Sequence, residues 1–435
     1  DSVQVDVTVG GSGTYYTGDT LYTSDYSGPQ AAIDAASATD TVVFDQTESV
    51  AEATPASITV AKSDIKIEGD PNVSGDHLRP DNSNPTGDLL RIEEPATNIW
   101  VDGLVVDCDC EFQEGGGGAG AARGIGGKDV GALNHIRITN CTVKNVGRNG
   151  INFVNGSQTN SYPGDLTDFY IANNSILTSD GHGILMGVYD EPSNPLIKNV
   201  IYEDNYVEQT NAQGCGLFAS EADCTAENVL FIDNEISQPS ASADQMANMS
   251  FEADVNYALA YGNYVDCDET GVQGGPSATK GGVDNIFARN YVQDAGRSIR
   301  VMDRDAGVGN PPRNNLVHAN DTRDANHCVY TEELDDGGGN YADNGLQISD
   351  NLFDNCGGIT QKNNTGNYDI FNNGISPGNA TGVPATFENP VSFTDSNGDT
   401  VGAASWNIGG PDPANPVEVR VDVSLNGGAS VPDVS

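Results

Sequence analysis

Ile171-Ala172-Asn173-Asn174-Ser175-Ile176, Tyr202-Glu203-Asp204-Asn205-Tyr206-Val207 and Phe231-Ile232-Asp233-Asn234-Glu235-Ile236 share one pattern. An apolar or aromatic residue stands three positions before an Asn, and a β-branched residue two positions after it. The pattern continues at Asn263, Asn290, Asn320 and Asn351, so seven Asn residues keep one register at steps of 31, 29, 29, 27, 30 and 31. Self-similarity at such a period belongs to solenoids, in which no single repeat can bury its apolar face and stacking supplies the core.

Between these Asn positions the apolar residues alternate in short runs broken by Gly, Asn, Asp and Pro, with no helix-length amphipathic stretch. Each repeat therefore reads as a coil of short strands. A further strand recurs in most coils, at Ile151 to Phe153, Ile184 to Met186, Leu217 to Ala219, Met249 to Phe251, Ile299 to Val301 and Val329 to Thr331. Parallel stacking brings the Asn side chains to one turn, where each carboxamide can satisfy the next.

This organisation resembles the pectin-lyase-like superfamily of right-handed parallel β-helices, over about residues 29 to 375. The resemblance rests on the Asn register, the coil period and the stretch PQAAIDAASATDTVVF from Pro29 to Phe44. Residues 29–38 read as an Ala-rich amphipathic helix, similar to the cap of this superfamily, and Val42 to Phe44 begin the first coil. The resemblance implies an all-β right-handed parallel β-helix of about ten coils with an N-terminal capping helix and a small C-terminal β appendage. The expected organisation is an N-terminal arm over 1–28, the β-helix over 29–386 and a β appendage or tail over 387–435, the last folding around an Asn397-Gly398 turn. Gly115 to Gly127 reads as a glycine-rich excursion between coils. It lacks the Lys-Ser/Thr ending and following helix of a phosphate loop.

The 63 Asp plus Glu against 19 Lys plus Arg give a net charge of −44. That balance argues against nucleic acid as a partner, because no window offers the positive stripe that releases phosphate counterions. No apolar stretch approaches the roughly 18 residues of a membrane span. The charge and the excess of Arg (12) over Lys (7) fit a high-salt habitat. A start at Asp1 and eight cysteines fit an exported chain at the cell or virion surface, with Cys215 and Cys224 placed to close a short loop.

Candidate chemistry gathers at Gly296 to Asp305, which holds three of the twelve arginines. Strand alternation turns Ile299 and Val301 inward and Ser298, Arg300 and Met302 outward. The next coil, 30 residues on, sets Tyr330 beside Arg300 and Glu332 beside Met302, with His327 at the turn before. Such a face suits an acidic sugar, whose carboxylate a guanidinium grips and whose apolar face a ring supports. Lyase chemistry would use Arg300 or His327 as base with Asp303 or bound calcium; hydrolysis would pair Glu332 with Asp303 or Asp305. Tyr330, Arg304 and Met302 would contact the substrate. An Arg–carboxylate network tying coils together explains the same residues structurally. His182, in Ser179-Asp180-Gly181-His182-Gly183-Ile184, resembles the Gly-His-Gly segment of polygalacturonase-type hydrolases, but the rest of that set is missing and it reads as an ordinary turn residue. Calcium is the only cofactor raised. Asp395, Asn397 and Asp399 have the spacing of an oxygen-ligand loop, though position 12 is Trp406 rather than Glu and a hairpin turn accounts for them equally.

Two functions follow. One is an extracellular polysaccharide lyase or glycoside hydrolase acting on or binding a polysaccharide. The other is a non-catalytic tailspike, fibre or adhesin that binds a cell-surface glycan, with a homotrimer as its natural assembly. Carboxylates stacked about 4.8 Å apart on successive coils repel by roughly 1 kcal/mol each even at the dielectric of water. The melting temperature is therefore expected to fall steeply between molar salt and about 10 mM salt, for sodium and potassium alike. A melting temperature unchanged across that range removes the basis for the high-salt reading.

Overall fold

The computed structural model describes residues 16–51, 56–81, 86–110, 121–155, 164–188, 195–210, 213–219, 224–237, 249–253, 255–266, 276–278, 285–295, 297–302, 315–325, 327–332, 346–349, 351–354, 359–362, 368–371, 391–394 and 400–404. Three parallel sheets of 13, 11 and 11 strands run the length of a β-solenoid. The chain visits them in rotation. In one coil, Leu166–Ala172 belongs to the first sheet, Ser175–Ser179 to the second and Ile184–Val188 to the third.

The seven Asn residues form a continuous ladder at the corner between the first and second sheets. Cys141 N donates to Asn174 Oδ1 at 2.9 Å and heads the ladder. From there each Asn donates both its backbone N–H and its Nδ2–H to the Oδ1 of the next, from Asn174 to Asn351. The second Nδ2 hydrogen goes to a strand carbonyl, as from Asn234 to Tyr202 O at 2.9 Å. Every ladder Asn is at most 1% exposed, and a buried carboxamide is tolerable only when so completely satisfied.

Inside the coils, Tyr202, Phe231, Phe251 and Phe287 stack in succession with centroids 4.6, 4.7 and 5.6 Å apart. At the N-terminal end, Thr20–Tyr22 adds an edge strand to Thr41–Phe44. A helix over Pro29–Ala35 buries Ala32 and Ile33 against the first coil. It is shorter than the expected 29–38: Ala36 turns extended, and Asp40 draws the Ser37 and Asp19 N–H groups into a turn at 2.7 and 2.8 Å. Val391–Thr394 and Thr400–Ala404 pair antiparallel, as an appendage hairpin requires. Among the described residues no helix is long and apolar enough to cross a membrane.

Two expectations are corrected. The glycine run is not wholly an excursion, because Ala121–Lys128 is a strand of the third sheet. A Cβ on Gly126, at φ +109°, would lie 2.1 Å from Asn152 O, so only glycine lets these strands approach. Cys215 is a buried thiol, so no bridge to Cys224 closes that loop; Cys328 is the cysteine in a disulfide among the described residues.

Replacing Asn234 with Ala strands the Asn205 donors and Tyr202 O at once. Since each buried unsatisfied group costs about 1–3 kcal/mol, the unfolding midpoint in denaturant should drop by an amount worth roughly 3 kcal/mol or more. Substitution of Asn174 should cost less, because its Oδ1 accepts only the Cys141 N–H, whereas every later Oδ1 in the ladder holds two donors of the preceding Asn.

Candidate functional site

The third sheet carries the candidates Arg300, Met302, His327, Tyr330 and Glu332. Its strands Arg297–Met302 and His327–Glu332 pair with Arg297 opposite His327, Arg300 opposite Tyr330 and Met302 opposite Glu332. The structure thus gives the backbone register inferred for these residues and opens the strand at His327 rather than leaving it in a turn. Ser298 is corrected: it is fully buried. Register carried back through the sheet aligns Ser298 with Gly214, Gly183 and Gly150. At that corner a Cβ on Gly183 would meet Val207 at 2.4 Å and one on Gly150 would meet Ile176 at 2.6 Å, so the position faces inward and stays small. Asp303 and Arg304, and the proposed calcium ligands Asp395, Asn397 and Asp399, lie outside the described residues. Among the described residues no cluster of carboxylate, His or Cys side chains could hold a metal.

The residue before each small corner position is polar: Arg123 before Gly124, Asn149 before Gly150, His182 before Gly183 and Gln213 before Gly214. These form one row along the rim of the third sheet, and the same register adds Arg297 and His327. Where the row crosses the first of these strands it borders an open cleft of about 450 Å³. Arg123, Lys128, Arg148, Asn149, Asn152, Val154, His182 and Leu185 line it. Four of these side chains carry or can carry positive charge, and none is a carboxylate.

The cleft is braced from behind. Asp88, 1% exposed, pairs with Arg123 Nε and with Arg91 at 2.8 Å. Arg91 is held in turn by Glu93 at 2.5 Å and by Asp129 O at 2.8 Å. Lys128 and Arg148 make no ion pair among the described residues. His182 extends a second ladder: its N–H donates to Asn149 Oδ1 at 3.1 Å, and its Nδ1 accepts the Gln213 N–H at 3.3 Å. A neutral ring that accepts at Nδ1 carries its hydrogen on Nε2. Burial and the neighbouring Arg148 charge push the His182 pKa down to about 4, which keeps the ring neutral at pH 7.

The structure places His182 in a turn, as expected, and gives it a place in the cleft lining besides. The sequence does not point to Arg123, Lys128 or Arg148, because the glycine run disguises the Ala121–Lys128 strand that carries the first two. The available signal was the aligned series Arg123-Gly124-Ile125, Asn149-Gly150-Ile151 and His182-Gly183-Ile184.

No protein-family model matches the chain. No curated protein matches it either. Solved structures similar to it include ORF18 of Geobacillus virus E2, at 13% identity over 96% of this chain and 78% of that one, with a TM-score of 0.48. A polygalacturonase from Erwinia carotovora has 10% identity over 85% and 98%, with a TM-score of 0.47. An exopolygalacturonase from Thermotoga maritima has 12% identity over 77% and 83%, with a TM-score of 0.48.

Because the folded pKa of His182 lies below its unfolded value, the unfolded chain takes up the proton first. Its contribution to stability is complete above about pH 6.5 and is lost as pH falls towards 4. His182→Asn keeps an acceptor for Gln213 N–H and removes that titration. Its melting temperature should therefore fall less than that of the wild type between pH 6.5 and 4; equal falls would mean that the ring does not titrate in this window.

Proposed function

We propose that this protein is a surface or extracellular carbohydrate-active β-helix protein that binds an acidic polysaccharide along the outer face of the third sheet and cleaves it by elimination. The observation that carries this reading is the cleft at Arg123, Lys128 and Arg148. In a chain of net charge −44, cations would ordinarily be used up by neighbouring carboxylates, yet Lys128 and Arg148 form no ion pair among the described residues. An unsatisfied cationic cleft stabilises an anion brought to it, and a guanidinium beside a uronate carboxylate strengthens as negative charge develops during proton abstraction. Hydrolysis through two carboxylates has no pair among the cleft residues. The Arg297–Met302 and His327–Glu332 strands lie four and five strand steps from the strand after His182, about 19 and 24 Å along the same face. A polysaccharide of several residues can reach both, so Arg300 and His327 remain our candidates for the reacting end. The Cys328 disulfide supports an oxidising compartment.

Acidic polysaccharides incubated with the protein in molar salt should yield ultraviolet-absorbing unsaturated ends. Arg148→Ala should weaken binding about tenfold, the value of one charge-assisted hydrogen bond. Arg300→Ala should slow cleavage more than it weakens binding. New reducing ends without unsaturation would convert the reading to a hydrolase, and no binding to any acidic polysaccharide would end it.

A further inference from the structure

The hydrogen-bond census of the cleft is one-sided. Asn149 Nδ2 donates to Asn152 Oδ1 at 2.6 Å, and Asn149 Oδ1 accepts from His182 N. Asn152 Nδ2 donates to Gly127 O at 2.9 Å, and His182 Nδ1 accepts from Gln213. Each side-chain acceptor atom in the lining thus already takes a hydrogen bond within the protein, and Asn149 and Asn152 are buried. What remains for a ligand is the Lys128 ammonium, the Arg148 guanidinium, the terminal nitrogens of Arg123 and His182 Nε2–H, all of them donors.

A sugar hydroxyl has both a donor and acceptors, and a site reads its configuration by offering a partner for each. Here the side-chain oxygens that could accept the hydroxyl hydrogen, Asn149 Oδ1 and Asn152 Oδ1, each already take a hydrogen bond within the protein and belong to residues only 6% and 1% exposed. An oxyanion carries acceptors alone and satisfies all these donors. We infer that the cleft recognises the anionic substituent of its ligand, whether a uronate carboxylate or a sulfate ester, and does not discriminate the configuration of the sugar that bears it. This rests on the polysaccharide-binding reading above and specifies its substrate class as charge-defined rather than sugar-defined. The neutral state of His182 adds a consequence, since its donor is present throughout the range from pH 5 to 8 and anion binding there should not follow histidine titration.

The test is calorimetric binding at fixed ionic strength with four probes: a galacturonan oligomer, its methyl ester, the stereoisomeric mannuronan oligomer of equal length and a sulfated neutral galactan oligomer. The two uronates should bind within about threefold of each other and the sulfated galactan comparably, while the methyl ester should be weaker by at least about tenfold. Arg148→Ala and Lys128→Ala should reduce the three anionic affinities alike. Arg148 is exposed in a turn, so its removal leaves the core intact. A methyl ester that binds as well as the free acid, stereoisomeric uronans that differ more than tenfold, or anion binding untouched by both substitutions would each overturn the inference. In the second of these cases the polysaccharide-binding function would stand; binding of none of the four would remove both.

Discussion

The corner between the first and second sheets governs the molecule. The six ladder Asn residues from Asn174 to Asn320 are each preceded by a residue in the left-handed region, at φ 55° for Asn173, 50° for Asp204, 51° for Asp233, 68° for Gly262, 54° for Arg289 and 53° for Ala319. Asn, Asp and Gly adopt that conformation cheaply, whereas Arg and Ala give up roughly 1 kcal/mol or more. The turn persists at Arg289 and Ala319 because the ladder over-determines it. Three hydrogen bonds per Asn fix where the chain leaves one sheet and enters the next, and the backbone must follow.

That constraint propagates around each coil. With the first corner pinned, the entry to the third sheet passes so close to Ile176 and Val207 that Gly150 and Gly183 admit no side chain. The residue just before must then turn its side chain towards the outer rim. Over four successive coils the packing thus sends a polar side chain to this row, at Arg123, Asn149, His182 and Gln213. His182 shows both uses in one ring: Nδ1 replaces the oxygen that Asn149 uses to hold the following coil, and this fixes which nitrogen keeps its hydrogen for the cleft.

What could be read in advance follows from range. The Asn register repeats seven times with nearly constant spacing, and each member lies one residue from its turn, so the ladder, the parallel stacking and the pairing of Arg300 with Tyr330 were all legible. The cleft was not, because it joins residues 123 to 185 through strands whose first member looks like a loop. Gly124 and Gly126 lower strand propensity, and their reason for being there is visible only once Val143 and Asn152 are seen pressing on them. Ser298 failed similarly: alternation alone sends it outward, and the close corner turns it in.

The charge distribution joins fold to function. Among the described residues Arg91, Arg123, Lys128, Arg148, Arg297, Arg300 and Lys362 stand on the third sheet or its entering turns, seven of the chain's 19 cations. The rest of the surface carries a large excess of carboxylates. A polyanion approaching at low salt meets the field of the whole molecule first and is repelled, even though the cleft itself attracts it. At about 0.15 M salt the screening length is roughly 8 Å, and near 1 M it is about 3 Å, shorter than the separation of cleft and distant carboxylates but comparable to a hydrogen bond. Salt therefore removes the repulsion before it removes the contacts. A cleft of fixed donors gripping an oxyanion at hydrogen-bond distance is the form of recognition that survives such screening, and it gives an acidic solenoid a physical means of holding an acidic chain.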